Sequence, residues 1–470
     1  MQESEACVVL GARESRVQGE GAPQSNTRGG ETSAALRGSV RMTTGLSRIA
    51  EKAKSDRKVR FTSLAHLLTP EFLLETWKQM NRRGAGGVDG ETMQEYERDL
   101  ETRIGDLHGR LRTGRYRPPP VRRVEIPKGN GKTRPLGIPT VEDRLVQRAV
   151  ARILSAIYEQ DFLDCSYGFR TGRNPHQALR ALRSHIVAGK VRYVYEADIR
   201  GYFNHMNHDW LRKMVAHRIA DPAILRLIGR WLRAGVMLEG VVVRAHEGSP
   251  QGGPISPVLA NVYLHYVLDL WFEKKFKAWC QGEAYLTRFA DDYVACFQYK
   301  RDAERLDRIL TRRMMKFGLE LAPEKTRMLL FGRFARERMA EFGKKPETFE
   351  FLGFKHVCGI DRTGKAAVVR IPSRKSCRKF LDRTREWLRR HMHWRRRDQQ
   401  RELASRLRGF YQYFALTHTL PRLFWVLGEV RRQWRRAIRR CGQRSRSHWV
   451  YLEAQPWFAL PHPKLLHATV

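Results

Sequence analysis

Two adjacent carboxylates, Asp291 and Asp292, separate two apolar runs, residues 286–289 and 293–296. Both runs are rich in residues that favour β-strands, so the pattern predicts a β-hairpin with the two aspartates at its turn. Adjacent like charges repel, and burying them requires a compensating cation; Mg²⁺ accepts carboxylate oxygens readily. Aspartate is also common in turns that have no catalytic role. The pair therefore allows two interpretations, a metal-binding site and an ordinary turn.

A third carboxylate, Asp198, lies near the end of an upstream run of alternating polarity, residues 191–199. In a strand, Val194, Glu196 and Asp198 would share one face, and the two neighbouring tyrosines would lie on the other. An antiparallel neighbour could bring Asp198 beside Asp291. Two metal ions held between such carboxylates can activate a 3′-hydroxyl and stabilise departing pyrophosphate. The three aspartates together predict a palm-type polymerase.

The overall charge is consistent with a polyanionic partner. Among 470 residues, 88 are Lys or Arg and 49 are Asp or Glu, giving a net charge of +39, which favours nucleic acid. Membrane attraction is the alternative, but no long apolar run exists and the mean hydropathy is -0.54, so a spanning helix is not expected. The seven cysteines form no CxxC pair, so we interpret them as free thiols in a reducing cytosol and not as zinc ligands.

The first 41 residues are rich in Gly, Ser, Glu and Gln and show no periodicity, which predicts disorder. Met42 is a possible downstream start, and no convincing signal peptide precedes it. Beyond this leader, 470 residues leave room for two to four packed units. Apolar residues from Met93 to Leu111 recur at helical spacing, and Gly114 is a natural stop. Thr140 and Asp143 have capping-box spacing ahead of a second helical stripe, residues 145–157.

Two loops carry cations that could contact phosphate. Residues 126–139 contain a Gly-Asn-Gly turn flanked by Lys128, Lys132 and Arg134, which suits a hairpin that carries cations toward a phosphate. A solvated basic loop is the alternative interpretation. Residues 166–176, with Arg170 and Arg173, form a second Gly- and Arg-rich loop suited to contacting a backbone or template.

Three further residues are candidates for handling a nucleotide. Phe203, five residues after Asp198, could press on the 2′ position of a sugar and exclude ribonucleotides, or it could be a core residue. Gln251 lies in a Gly- and Pro-rich loop, residues 248–257, where glycines permit close approach of backbone to a nucleotide or template base. Lys325 could protonate departing pyrophosphate as a general acid, or it could be a surface lysine.

Residues 374–446 contain 23 Lys or Arg against 5 Asp or Glu, interleaved with aromatic residues. Two helical stripes are apolar: Leu403, Leu407, Phe410 and Phe414, then Leu423, Leu427, Val430, Trp434 and Ile438. The face opposite the second stripe is basic and comprises Arg431, Arg432, Arg435, Arg436 and Arg439. Such a helix could bind a membrane or be merely solvated, but with a polymerase palm upstream RNA phosphate is the better target.

Taken together, these segments resemble a bacterial group II intron reverse transcriptase (intron-encoded maturase), of the compact kind without an endonuclease. The resemblance runs from about residue 43 to the C-terminus and leaves out only the leader. The matching segments occur in the family's order: 61–68, 126–139, 165–173, 197–208, 248–261, 289–292, 319–326 and 351–354.

The resemblance implies an α+β right-hand polymerase with fingers, an antiparallel-sheet palm and a helical thumb. Its expected divisions are a disordered leader (1–41), fingers (42–190), palm (191–365), a thumb or maturase domain X (366–447) and a short tail (448–470). The tail lacks the paired CxxC and His clusters of an HNH endonuclease. One strand of the DNA target would then be cut by reverse splicing of the RNA.

Site roles follow from the resemblance position by position. Asp198 and Asp291 would hold two Mg²⁺, with Mn²⁺ as a possible substitute and Asp292 assisting. Lys128 and Arg134 would grip the incoming triphosphate, and Phe203 would be the steric gate. Gln251 would line the nucleotide pocket, and Lys325 matches the lysine of the family's motif. Phe289 replaces the family's usual Tyr and keeps the ring, so little effect on catalysis is expected. Residues 407–414, including Arg408, resemble domain X, which in the family binds intron RNA.

The function implied is an RNA-directed DNA polymerase that also helps group II intron RNA to splice. Its partners would be that RNA, an RNA template with a DNA primer or target DNA, and dNTPs, in a bacterial ribonucleoprotein in the cytoplasm or nucleoid. Two alternatives remain open: an RNA-binding splicing factor whose polymerase site is dispensable, and a domesticated relative in DNA repair or phage defence. The complete aspartate triad favours real catalysis.

Overall fold

The structure, a computed structural model, describes residues 44–82, 84–129, 132–234, 236–238, 241–243, 252–361, 363–442 and 446–467. The leader predicted to be disordered therefore lies outside the described residues. Within them, no helix is long and apolar enough to cross a membrane. The six cysteines in this part of the chain are free thiols.

The N-terminal part is mainly helical around one hairpin. Its elements are α1 (Thr44–Ser55), α2 (Pro70–Lys78), α3 (Met93–Glu97), α4 (Leu100–Arg112), β1 (Val121–Gly129), β2 (Lys132–Ile138), α5 (Val141–Tyr158) and α6 (Pro175–Ala188). The single helix predicted from Met93 onward is in fact two, because the capped turn α3 ends before Asp99 and α4 starts afresh. Gly114 follows α4 with φ 68°, as its predicted role as a stop requires.

The hairpin predicted around the Gly-Asn-Gly turn is present as the antiparallel pair β1 and β2, while Asn130 and Gly131 of the turn lie outside the described residues. The Thr140 side chain accepts a hydrogen bond from the Asp143 backbone and caps α5. The carboxylate of Asp143 does not return to the cap. It is buried and instead accepts hydrogen bonds from Tyr116, Gln147 and Trp231.

The middle of the chain builds the sheet that carries the aspartates. Its elements are β3 (Tyr193–Ala197), α7 (His208–Ala216), α8 (Pro222–Arg233), β4 (Val236–Leu238), β5 (Val241–Val243), α9 (Ser256–Leu264), β6 (Ala284–Phe289), β7 (Asp292–Phe297), α10 (Lys300–Lys316) and β8 (Arg327–Leu330). Strands β6, β7, β3 and β8 form one sheet in that order, and every pairing is antiparallel. The short strands β4 and β5 extend the sheet of β1 and β2.

The C-terminal part is a small sheet followed by long helices. Its elements are α11 (Ala335–Ala340), β9 (Phe349–Phe351), β10 (Phe354–Ile360), β11 (Ala366–Pro372), α12 (Arg374–Arg390), α13 (Arg396–Phe414), α14 (Leu420–Arg440) and α15 (Trp449–Glu453). Both predicted apolar stripes are buried, one on α13 and one on α14. The α+β class, with an antiparallel sheet and a helical C-terminal part, is confirmed.

The aspartate-bearing sheet is buried on both faces. Tyr195 and Tyr293 belong to a core shared with the N-terminal helices, whereas Val194 and Val294 belong to a second core shared with α13 and α14. The predicted alternation of β3 is therefore correct. Because packing fixes both faces of the sheet, the residues at its end are held in one place.

Candidate active site

The aspartates meet at one end of the four-stranded sheet. Phe289 of β6 pairs with Asp292 of β7, so Ala290 and Asp291 form a two-residue turn between the strands. Strand β3 pairs antiparallel with β7 up to Ala197 opposite Tyr293. Asp198 follows β3 directly and therefore lies beside the start of β7. The antiparallel neighbour predicted to bring Asp198 to the hairpin is β7 itself.

These carboxylates lie in an unfavourable electrostatic environment. Asp291 is buried, and no donor among the described residues hydrogen-bonds to the buried Oδ2 of Asp292. Burial, together with the charges of Asp291, Asp198 and Glu196, raises the pKa of Asp292 to about 7. A buried carboxylate without a partner costs free energy unless a proton or a cation neutralises it. The carboxylates therefore need a neutralising charge, as those of a cation-binding site do.

Lys325 lies against the same site. Its ammonium group donates a hydrogen bond to Oδ2 of Asp198, and the two side chains form an ion pair. The backbone fixes this proximity, because the amide of Ala322 donates to the carbonyl of Asp198 at 2.8 Å. The lysine predicted to act on pyrophosphate is therefore placed next to an aspartate, although half of its side chain remains exposed.

A divalent cation fits the residue types present. In the described part of the chain, no group of three or more His, Cys, Asp or Glu side chains is arranged so that it could hold a metal ion. The ammonium group of Lys325 already occupies Oδ2 of Asp198. However, three aspartates lie at this end of the sheet, the charges of Asp198 and Asp291 act on Asp292, and one buried oxygen of Asp292 has no donor. Hard divalent cations select such oxygen ligands.

Phe203 lies close by in a short helical turn, Tyr202–Asn204, that follows Asp198. Its ring is 6% exposed and packs edge-on against Tyr202, with the ring centroids 5.3 Å apart. Gly201 precedes the turn with φ 54°, a conformation that favours glycine. Phe203 therefore belongs to the buried core, and its role as a steric gate stays a prediction.

Three predicted nucleotide contacts lie partly or wholly outside the described residues. Gln251 is outside them. For Lys128 and Arg134 only the backbone is described, in β1 and β2 respectively, near the end of the hairpin. Ile126 is paired with Arg134 in that ladder.

The two arginines of the 166–176 loop have different environments. Arg170 is buried, pairs with Glu159 at 3.0 Å, and donates at 2.7 Å to the carbonyls of Leu163 and Ser166. Its donors are thus used inside the protein, so the prediction that it contacts RNA is wrong. Arg173 is partly exposed, pairs with the exposed Asp164 and lies over the ring of Tyr167. It remains available to a nucleic acid.

The basic face of α14 is divided by the C-terminal tail. Arg431 and Arg435 lie over the ring of Trp449, at 5.6 and 5.0 Å from its centroid. Arg431 also pairs with Glu453, and Arg435 donates to the carbonyl of Ser447. The tail therefore covers these two side chains, contrary to the prediction of one continuous RNA-binding face. Arg432, Arg436 and Arg439 are exposed, as is Arg408 on α13.

The sequence reasoning missed Arg288. This residue of β6 is completely buried, together with its partner Asp269, just before the Asp291 turn. An arginine inside an apolar β-prone run was the available signal, because such a charge must find internal partners.

Comparison with known proteins agrees with this geometry. Residues 126–356 match the family described as reverse transcriptase (RNA-dependent DNA polymerase). The chain is 33% identical over 355 residues to Protein YkfC of Escherichia coli (strain K12), covering 71% of this chain and 93% of that protein. It is 36% identical over 237 residues to the group II intron-encoded protein LtrA of Lactococcus lactis subsp. cremoris, covering 49% of this chain and 39% of LtrA. An uncharacterised 91 kDa protein in the cob intron of Schizosaccharomyces pombe is 39% identical over 154 residues, covering 33% of this chain and 19% of that protein.

Proposed function

Because this chain belongs to the reverse transcriptase family and, within it, to the group II intron type, we propose that it copies RNA into DNA during intron mobility and helps the intron RNA to splice. The polymerase chemistry belongs to the family. The substrates, the metal and the splicing role are the proposal, because the chain spans only 39% of LtrA.

The observation that carries the proposal is the pairing of β3 with β7, which sets Asp198 beside the Asp291 turn at the end of a sheet packed on both faces. We assign Asp198 and Asp291 as ligands of two Mg²⁺, with Asp292 assisting. When bound, the ions would lower the pKa of the primer's 3′-hydroxyl and neutralise the departing pyrophosphate.

The protein's own residues position the other groups. Lys325, held next to Asp198, supplies a proton to the pyrophosphate oxygen, and Phe203 bounds the sugar side of the nucleotide. Lys128 and Arg134, from the β1–β2 hairpin, hold the triphosphate, and Gln251 lines its pocket. Rigid positioning of this kind supplies much of the acceleration in phosphoryl transfer, where little covalent chemistry is left to the protein.

RNA is bound by the exposed arginines of the thumb and of the loop before α6: Arg173, Arg408, Arg432, Arg436 and Arg439. With a net charge of +39, affinity should fall steeply with salt as phosphate counterions are released on binding. We propose a ribonucleoprotein in the bacterial cytoplasm as the working form.

The test is primer extension on an RNA template with dNTPs and Mg²⁺, comparing the unaltered protein with Asp291→Asn/Asp292→Asn. Asp209→Asn, on an exposed part of α7, is the matched control. Extension by the unaltered protein and the control alone, with RNA binding retained in the double variant, supports the proposal. No extension by the unaltered protein with any primer arrangement refutes the polymerase. Splicing of the flanking intron RNA, measured on the same preparations, tests the maturase role separately.

A further inference from the structure

Arg288 has all five of its N–H groups satisfied by the protein, although it lies at the sheet's catalytic end. Nε and Nη2 donate to the two carboxylate oxygens of Asp269 at 2.7 and 2.5 Å. The remaining donors reach Ser166 Oγ at 2.7 Å, Asn261 Oδ1 at 3.1 Å and the carbonyl of Ala290 at 2.7 Å. Arg288 and Asp269 are both 0% exposed. A guanidinium with no unused donor is held in one orientation.

Such a pair is poorly explained by stability. Removing two charges from water costs free energy that their attraction does not reliably repay, and apolar replacements of buried ion pairs are often neutral or stabilising. By this argument, apolar side chains in place of both Arg288 and Asp269 could leave the protein equally stable. The pair therefore calls for a role that an apolar residue could not fill.

The Ala290 contact supplies such a role. Ala290 is in the left-handed region, with φ 57°, a strained conformation for a residue with a side chain. Its carbonyl belongs to the peptide that joins it to Asp291. When Arg288 holds that carbonyl, it fixes the peptide plane from which Asp291 projects.

Gly168 packs against the other side of the turn. A Cβ added to Gly168 would lie 2.3 Å from the Ala290 nitrogen, so only glycine permits this approach. Asn261 donates to the Gly168 carbonyl at 2.7 Å while accepting from Arg288. The same side chains thus clamp the turn from two directions. Backbone bonds between Arg288 and residues 165 and 167 attach this loop to the edge of β6.

We propose that Arg288 is a positioning residue: with Asp269, Asn261 and Ser166 it holds Ala290 in its left-handed conformation and so places Asp291 for catalysis. This inference rests on the proposed role of Asp291.

The test compares Arg288→Lys with Arg218→Lys. Arg218 is an equally buried arginine that pairs with Asp161 at 3.2 Å and donates to backbone carbonyls, in a part of the protein outside the site. Both variants are expected to lose thermal stability. Per folded molecule, only Arg288→Lys should lose kcat in primer extension, by about 100-fold, because a displacement of about 1 Å costs that much. KM for the primer–template should stay unchanged.

A second measurement does not depend on polymerase activity. Direct Mn²⁺ binding should weaken in Arg288→Lys and stay normal in Arg218→Lys, so this result stands even if the unaltered protein extends no primer. Adding Ala290→Gly to Arg288→Lys should restore part of kcat, since glycine takes the left-handed conformation without the clamp. Equal losses in the two lysine variants, or no rescue by glycine, overturn the proposal. If Arg288→Lys does not fold, Ser166→Ala, which removes one acceptor only, replaces it with the same expected direction.

Discussion

Replacing the exposed arginines of α14, in the variant Arg432→Gln/Arg436→Gln/Arg439→Gln, should weaken RNA binding and make it less sensitive to salt. Each arginine that neutralises a phosphate releases a counterion, and the release sets the slope of log K against log salt. The structure leaves these three side chains exposed along one helix. Arg432 also pairs with Glu429 in the same turn, an exposed contact that RNA phosphate can displace.

The size of the effect follows from the number of contacts. Each arginine contact to a phosphate of single-stranded RNA contributes about 0.7 to the slope of log K against log salt. Losing three such contacts should therefore lower the magnitude of the slope by about 2. The assay is fluorescence anisotropy of labelled intron RNA across a series of potassium chloride concentrations. Folding of the variant should be unchanged, since all three side chains are exposed.

The control comes from the same helix. Arg431→Gln/Arg435→Gln removes two cation–π contacts to Trp449, worth about 0.5–1 kcal/mol each, and should lower the melting temperature while leaving the salt slope unchanged. Equal slopes in the unaltered protein and the triple variant would refute RNA binding by the exposed face. An equal loss of slope in the control would refute the conclusion that the tail covers Arg431 and Arg435.

Two further predictions concern buried side chains. Burial raises the pKa of Asp143 to about 6, so the folded state binds its proton more tightly than the unfolded state, and stability falls as pH rises from about 4 to 6. Asp143→Asn should remove this dependence of stability on pH, provided that the Gln147 amide rotates to accept a hydrogen bond from the new side chain. The variant should raise the free energy of unfolding at pH 7, measured by urea denaturation, by at most about 3 kcal/mol. A less stable variant at pH 7 would contradict this. If Phe203 is the proposed gate, Phe203→Ala should increase ribonucleotide incorporation relative to deoxynucleotide by at least about tenfold in single-nucleotide extension, because the 2′-hydroxyl then meets no ring. A loss of about 3–5 kcal/mol in stability with unchanged discrimination would identify Phe203 as a core residue only.

Local patterns predicted the elements that position the site. Alternation identified β3, and helical spacing identified the buried stripes of α13 and α14, because these periodicities depend only on backbone geometry. The hairpin was predicted from two runs of β-prone residues, although Asp292 begins β7 and does not lie in the turn as expected. The break between α3 and α4 was missed because the apolar residues keep helical spacing across the end of one helix and the start of the next. The hydrogen-bond partners of Asp143 were missed for another reason. Capping-box spacing concerns residues close in sequence, whereas the donors Tyr116 and Trp231 lie far from Asp143 in the chain.

The arginines show where sequence reasoning stops. Arg170 and Arg173 occur three residues apart in one loop, yet the first is enclosed by Glu159 and backbone carbonyls and the second is partly exposed. On α14 the helical repeat correctly places Arg431 and Arg435 together, but only the tertiary structure shows that Trp449 covers them. A charge pattern states how many cations exist, whereas packing decides which of them retain unused donors.

That distinction also changes the meaning of the large positive charge. An arginine enclosed by internal acceptors, such as Arg288, contributes nothing to counterion release but can fix backbone geometry, because its planar donors hold several groups at once. An exposed arginine does the reverse: it adds salt-dependent affinity and specifies little about position. Substitution by lysine separates the two classes, since it preserves the charge but removes the planar array of donors. At Arg288 it should reduce catalysis, and at Arg436 it should leave the salt slope of RNA binding nearly unchanged.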